Sequence, residues 1–230
     1  MTDKLEKEPI GNRGTRLPRD QRRVQLLDAA NEVFTSKGYH AAAMDDIADA
    51  AGVSKPVLYQ HFPSKLDLYL ALLDQSCDRL VEIVEVALAS TEDNADRVVA
   101  TVAAFYEFVS SDSGEFRFVF ESDLTGDRAV QQRLSRVNAD ISDAIAEVIA
   151  EDTSLPVEQA KLLAVSLVGI AQVSARYWIS GGTSTVTLDE AKQLVSSLAW
   201  RGISGFPLTE HERGPRTSTA AAPEPSISAP

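Results

Sequence analysis

Lys55, Pro56, Tyr59 and Gln60 fall within one short stretch, SKPVLYQHF (54–62). In a helix turning ~100° per residue they share an outward arc about 140° wide. The arc offers a cation, a rigid apolar wedge, an aromatic hydroxyl and an amide. Such groups can meet phosphates, thymine methyls and base edges in a DNA major groove. Leu58 and Phe62 lie within about 40° of each other on the adjoining side, where they can pack inward. The same spacing also describes an amphipathic helix pair with a solvated face.

The elements that must position this arc are legible just upstream. Ala48, mid-way along MDDIADAA, is small enough for a second helix to cross closely, and Gly52, four residues on, supplies the φ > 0 of a tight turn. Val53 can plug the corner. Ser54 can cap the next helix by accepting from a free backbone N–H, and Pro56 sits in the first turn, where its missing donor costs little. Together these residues spell a helix-turn-helix.

The charge supports an uneven division of labour. The 230-residue chain has a net charge of −12, yet residues 1–65 hold ten Lys/Arg against nine Asp/Glu, and the rest hold twelve against twenty-five. GNRGTRLPRDQRR alone carries five arginines, which suits an end that meets a polyanion and equally suits a solvated leader. One cysteine allows no internal disulfide, and three scattered histidines make no zinc cluster. The sequence has no Gly-rich phosphate loop, HExxH or G-x-S-x-G elbow, so an enzyme is not expected, nor is a cofactor. No apolar run reaches the ~20 residues of a membrane span, and the expected location is cytoplasmic.

Periodicity predicts an all-α chain of about nine helices. The first starts near Pro18 and ends at Gly38. A long helix follows Ser64, further helices cover 94–110, 115–121 and 127–150, and Pro156 opens a nearly all-apolar one. Thr187 and Glu190 spell a capping box for the last. The expected organisation is a flexible basic arm (1–16), a helix-turn-helix domain (17–64), a ligand-binding and dimerisation domain (65–206) and a disordered tail (207–230).

The body's aromatics are core residues first. As a group they can also line an apolar cavity between helices. The candidate wall is Leu80, Val84 and Leu88 with Phe105, Phe108, Phe116, Phe120 and Trp178. Arg117, Arg128 and Arg176 are candidates for a basic mouth. The helix 157–180, apolar nearly all round, pairs most economically with the last helix as a two-fold dimer face.

GYHAAAMDDIADAAGVSKPVLYQHFPSKLDLYLALL resembles the DNA-binding domain of the TetR family of bacterial transcription regulators. The resemblance rests on Gly38-Tyr39, Ile47-Ala48, Ala51 to Ser54, Leu58-Tyr59, His61-Phe62, Ser64-Lys65 and Leu68. It implies that Ser54, Lys55, Pro56, Tyr59 and Gln60 lie on a recognition helix. It also implies that Tyr59, His61 and Lys65 contact phosphates and that Tyr39 packs or touches the DNA backbone. Arg13 and Arg16 would belong to an arm reaching DNA beside that helix. One position departs from the family pattern: Ala43 stands where a capping, phosphate-touching Thr or Ser is usual.

Pro56, ARYW and FPLT further resemble the family's actinobacterial fatty-acid-synthesis regulators. That implies a homodimer on a pseudo-palindromic operator, controlling fatty acid synthesis genes, with long-chain acyl-CoA as effector and no membrane partner. The rival readings are an efflux-operon repressor sensing drug-like apolar molecules and a helical ligand-binding protein or enzyme without DNA activity.

Overall fold

The computed structural model describes residues 17–202, apart from 112, 123, 183 and 184. The arm 1–16, with Arg13 and Arg16, and the tail 207–230 lie outside the described residues. Within them the chain is all-α, with nine α-helices and no strand. Helices α1 (Arg19–Ala41), α2 (Met44–Ala50) and α3 (Lys55–His61) make a compact head. Helix α4 (Lys65–Ala89) leads from it to α5 (Asn94–Ser110), α6 (Glu115–Phe120), α7 (Arg128–Thr153), α8 (Val157–Tyr177) and α9 (Leu188–Arg201).

The head closes on the residues whose spacing predicted it. Leu26, Ala30, Val33 and Phe34 of α1 are buried with Ile47, Ala48, Leu58 and Phe62. Gly52 turns the chain at φ 63°, the Gly52 N–H donates to Asp49 O at 3.0 Å, and the Val53 N–H donates to Ala48 O at 3.0 Å. Gly38 breaks α1 at φ 74°, but helical hydrogen bonding resumes as far as Ala41. The predicted end is therefore a kink.

Two caps differ from expectation. The Ser54 side chain caps nothing. The second helical residue, Pro56, has no N–H to give, and the Val57 N–H already donates to the Ser54 carbonyl at 2.9 Å. At Ala43 the missing hydroxyl is offset from the other direction, because Asp46 Oδ2 accepts the Ala43 N–H at 3.1 Å. At α4, Ser64 Oγ accepts the Asp67 N–H at 3.1 Å. At α9, Thr187 and Glu190 form the predicted reciprocal box.

Helix α4 spans 25 residues, about 37 Å. It buries Leu68 and Tyr69 against the head and Leu80 and Val84 in the body. Helix α7 packs along both α4 and α8, while α5 lies between α4 and α9. Arg133 on α7 grips Asp74 on α4 with two bonds, at 2.5 and 3.2 Å. Cys77 is buried in this core, and burial pushes its thiol up to about 12, which makes it an inert packing residue.

Val157–Gly181 is 25 residues long, and its most apolar 18-residue window has a mean hydropathy of 1.5, enough in length and composition to cross a membrane. Lys161 and Arg176 divide it into shorter apolar runs. Only part of this helix packs on its own chain: Ala160, Ala164 and Ala175 are buried, while Leu162, Val165, Val173 and Tyr177 are exposed.

Candidate nucleic-acid interface and ligand cavity

Ser54, Lys55, Pro56, Tyr59 and Gln60 are all exposed along α3, while Leu58 and Phe62 hold the opposite side in the core. The Lys55 ammonium sits 2.7 Å from Asp45 Oδ1 of α2, and that hydrogen bond holds it above its ordinary pKa. Lys37 similarly meets Asp46 at 2.9 Å, which keeps the Asp46 carboxyl low. The two carboxylates at the start of α2 thus orient and screen the cations that flank them.

His61, at the end of α3, lies among the cations of the first turns of α1. Burial, then the charges of Arg19, Arg23 and Arg22, hold its pKa below the ordinary value. The Arg23 guanidinium covers the Phe62 ring at 4.5 Å, and Arg22 donates to Gln25 Oε1 at 2.7 Å. Gln25 in turn donates to the Ala51 carbonyl at 2.8 Å, tying α1 to the turn. The sequence points to Arg13 and Arg16 as the arm's contacts; among the described residues, the arginines beside α3 are Arg19, Arg22 and Arg23. Their three- and four-residue spacing on one helix is the signal that finds them.

Lys65 does not reach outward. Its ammonium donates to the carbonyls of Tyr39 and Ala42, both at 2.8 Å, and lies 4.4 Å from the Tyr39 ring centre. Those carbonyls lie beyond the kink at Gly38, at the end of α1, and the Lys65 ammonium of α4 bonds them. Lys65 thus has a structural role within the head, beside the phosphate contact that the resemblance implies. Tyr39 packs, stacking on Phe34 at 5.8 Å and edge-on to Tyr69 at 5.1 Å.

The body holds a cavity of about 550 Å³ between α4, α5, α7, α8 and α9. Val84, Leu88 and Phe105 line it, joined by apolar residues such as Val98, Ile145 and Leu167 that the sequence did not single out. Leu80, Phe108, Phe116, Phe120 and Trp178 do not line it. Leu80 and Phe108 are buried in the core. Helix α6 lies on α4 and α5, so Phe116 and Phe120 fill that joint, stacked at 4.9 Å. Trp178 packs on Tyr106 and donates its indole N–H to Val186 O at 2.9 Å.

At one end the lining turns polar, with Asn94, Arg97, Asp152 and Thr153. Arg97 is held there by Thr91 O at 2.8 Å, Asn94 Oδ1 at 2.9 Å and Asp152 Oδ2 at 3.0 Å. The exposed Arg117, Arg128 and Arg176 are not on this wall. Arg97 is the cation the sequence missed, the one basic residue of α5, a turn inside an amphipathic helix. Among the described residues no group of three or more His, Cys, Asp or Glu could hold a metal ion.

Contacts link cavity to head. Phe105 lines the cavity and meets Phe120 at 5.7 Å. On the same short helix α6, Phe118 meets Tyr69 at 5.4 Å and Phe34 at 6.5 Å. Buried Tyr69 also shares a 2.8 Å hydrogen bond with Ser122. Asn31 and Arg117 add hydrogen bonds between α1 and the α6 region, to Ser113 O at 2.7 Å and from Arg117 to Thr35 O at 2.9 Å.

Residues 26–72, which span the head and the start of α4, match the family described as bacterial regulatory proteins, tetR family. An HTH-type transcriptional activator, FasR of Mycolicibacterium smegmatis, is 48% identical over 206 residues, 89% of this chain and 94% of that protein. The chain belongs to the TetR family. Regulators of the TetR family bind DNA and dimerise. The chain's fold is shared with a TetR-like regulator from Rhodococcus sp. RHA1, with a TM-score of 0.62 and 30% identity over 83% of this chain and all of that one. It is shared too with Bacillus subtilis FadR in complex with stearoyl-CoA, with a TM-score of 0.65 and 19% identity over 78% and 98% of the two chains.

Proposed function

We propose that this TetR-family regulator is a cytoplasmic homodimer that controls fatty acid synthesis genes in response to a long-chain acyl-CoA. The observation that carries the reading is the cavity: an apolar interior ending at the pinned Arg97. Each buried methylene of an acyl chain contributes roughly 0.8 kcal/mol there. Arg97 and Asn94 can meet the polar head once the pairing with Asp152 is exchanged. The 48% identity to FasR supports the regulatory role, and the fold shared with a FadR that holds stearoyl-CoA supports the ligand class.

In this reading Ser54, Lys55, Pro56, Tyr59 and Gln60 enter a major groove, and two heads address half-sites about 34 Å apart on a pseudo-palindrome. His61, Arg19, Arg22 and Arg23 face the flanking phosphates, and the arm with Arg13 and Arg16 extends that contact. The acidic body repels DNA and favours approach by the heads. A ligand that prefers one setting of Phe105 biases α6 and α4 through Phe120 and Phe118, and the separation of the heads with them. Only such differential affinity can shift the equilibrium.

Lys55→Ala and Tyr59→Ala test the DNA-binding assignment by operator gel shift and circular dichroism. Each loses operator binding while helicity and dimer are kept; unchanged operator affinity in both variants overturns the assignment.

A further inference from the structure

The cavity is not closed by its own chain. Leu163 and Trp200 belong to its wall yet are 46% and 49% exposed, and Ser166 on the wall is exposed as well. Asp152 and Thr153 are exposed at the polar end too, so the wall is breached both there and, on its apolar side, along the outer side of α8 and α9. Ser166 also falls in one stripe of α8 with Leu162 and Val173, within about 40° of each other. Those two residues are 68% and 70% exposed, and Leu194 of α9 is 47% exposed. The breach and the unpartnered apolar face are therefore one continuous surface.

Helices α8 and α9, 21 and 14 residues long, run about 31 and 21 Å and are each ~10 Å across. Their outer face covers several hundred Å², on the order of the ~800 Å² that each partner gives a stable dimer. TetR-family regulators dimerise, and this apolar face is continuous with the cavity wall. We propose that a second copy of this chain, seated two-fold on α8 and α9, supplies the missing wall of the cavity, so that ligand binding and dimerisation are one linked equilibrium.

The inference rests on the ligand reading given above and adds a consequence to it. Apolar ligand left against water at Leu163 and Trp200 gains little there, whereas the same surface closed by a partner is buried. Linkage then requires that the ligand tighten the dimer by the same factor by which the dimer tightens the ligand.

The experiment compares wild type with a Leu162→Arg, Val173→Arg double variant, which charges the face without touching the cavity wall. Two probes are titrated, stearoyl-CoA and the apolar fluorophore anilinonaphthalene sulfonate, with mass reported by analytical ultracentrifugation. The expected result is a monomeric variant that binds both probes at least about tenfold more weakly, within the usual range of coupling. Stearoyl-CoA also lowers the wild-type dimer dissociation constant by the same factor. Equal fluorophore binding by monomer and dimer overturns the proposal, as does a variant that remains dimeric. Dimer-dependent fluorophore binding with no stearoyl-CoA binding to either form supports the partner-built wall and discards the acyl-CoA reading. Dilution of wild type through its own dissociation midpoint repeats the test without substitution, which covers a variant that fails to fold.

Discussion

The ammonium of Lys65 lies 4.4 Å from the ring centre of Tyr39 and donates to that residue's own carbonyl oxygen at 2.8 Å. Tyr39 lies in the last turn of α1, and Lys65 begins the long helix into the body. The pair therefore ties the head to α4, so that any displacement of α4 carries the head with it.

Lys65→Met removes these bonds and leaves the Tyr39 and Ala42 carbonyls without their cation. The expected loss is about 2 kcal/mol of stability, typical of hydrogen bonds to a charged group. For a chain of this size that lowers Tm by about 4–8 °C. The salt dependence of operator affinity stays as in wild type. An unchanged Tm with a salt slope reduced by about one, the signature of a lost phosphate contact, would show that Lys65 serves DNA instead.

His61 gives a pH signature. Burial and the neighbouring Arg19, Arg23 and Arg22 depress its pKa below about 6.5, so the free head holds it neutral at pH 7. As pH falls below that value the unfolded chain takes up the proton first, and the stability held by the neutral ring is lost through the depressed folded pKa. A DNA phosphate beside the ring favours the imidazolium, so operator affinity rises over the same interval. Tighter binding at pH 6 than at pH 7.5 by fluorescence anisotropy, with the slope abolished in His61→Gln, is the expected pattern. A slope that survives in His61→Gln assigns it to another group.

Gly52 separates backbone strain from packing. Its φ of 63° is left-handed, and a Cβ built there meets nothing within 4 Å. Gly52→Ala should cost about 1–2 kcal/mol from conformation alone, and Gly52→Asn less, because Asn tolerates that region. Urea denaturation measures both; equal losses would contradict a purely conformational role.

The head was legible because its signals are local. Ala48, Gly52 and Leu58 fix the turn by size, φ and periodicity over eleven residues, and the fold follows. The same locality explains the failures. Ser54 is an ideal cap by type, but Pro56 two positions on removes the donor. The resemblance gives Lys65 a phosphate, and only the fold shows the Tyr39 and Ala42 carbonyls within its reach. The cavity was only half legible because its wall is a contact between helices far apart in sequence. Val84, Leu88 and Phe105 face it, whereas Phe116 and Phe120 are turned away by how α6 lies on α4 and α5. Arg97 became visible only once α7 brought Asp152 beside it, fifty-five residues on.

Whether the occupant of the cavity governs how the heads read DNA is decided by one titration. Operator fragments recovered by genome-wide mapping are labelled and bound by the dimer, and anisotropy is followed as stearoyl-CoA or CoA alone is added. Stearoyl-CoA is expected to shift operator affinity by about fivefold or more, as ordinary allosteric coupling does, while CoA alone leaves it unchanged. Operator affinity that stays constant while the cavity is saturated with stearoyl-CoA would contradict that coupling.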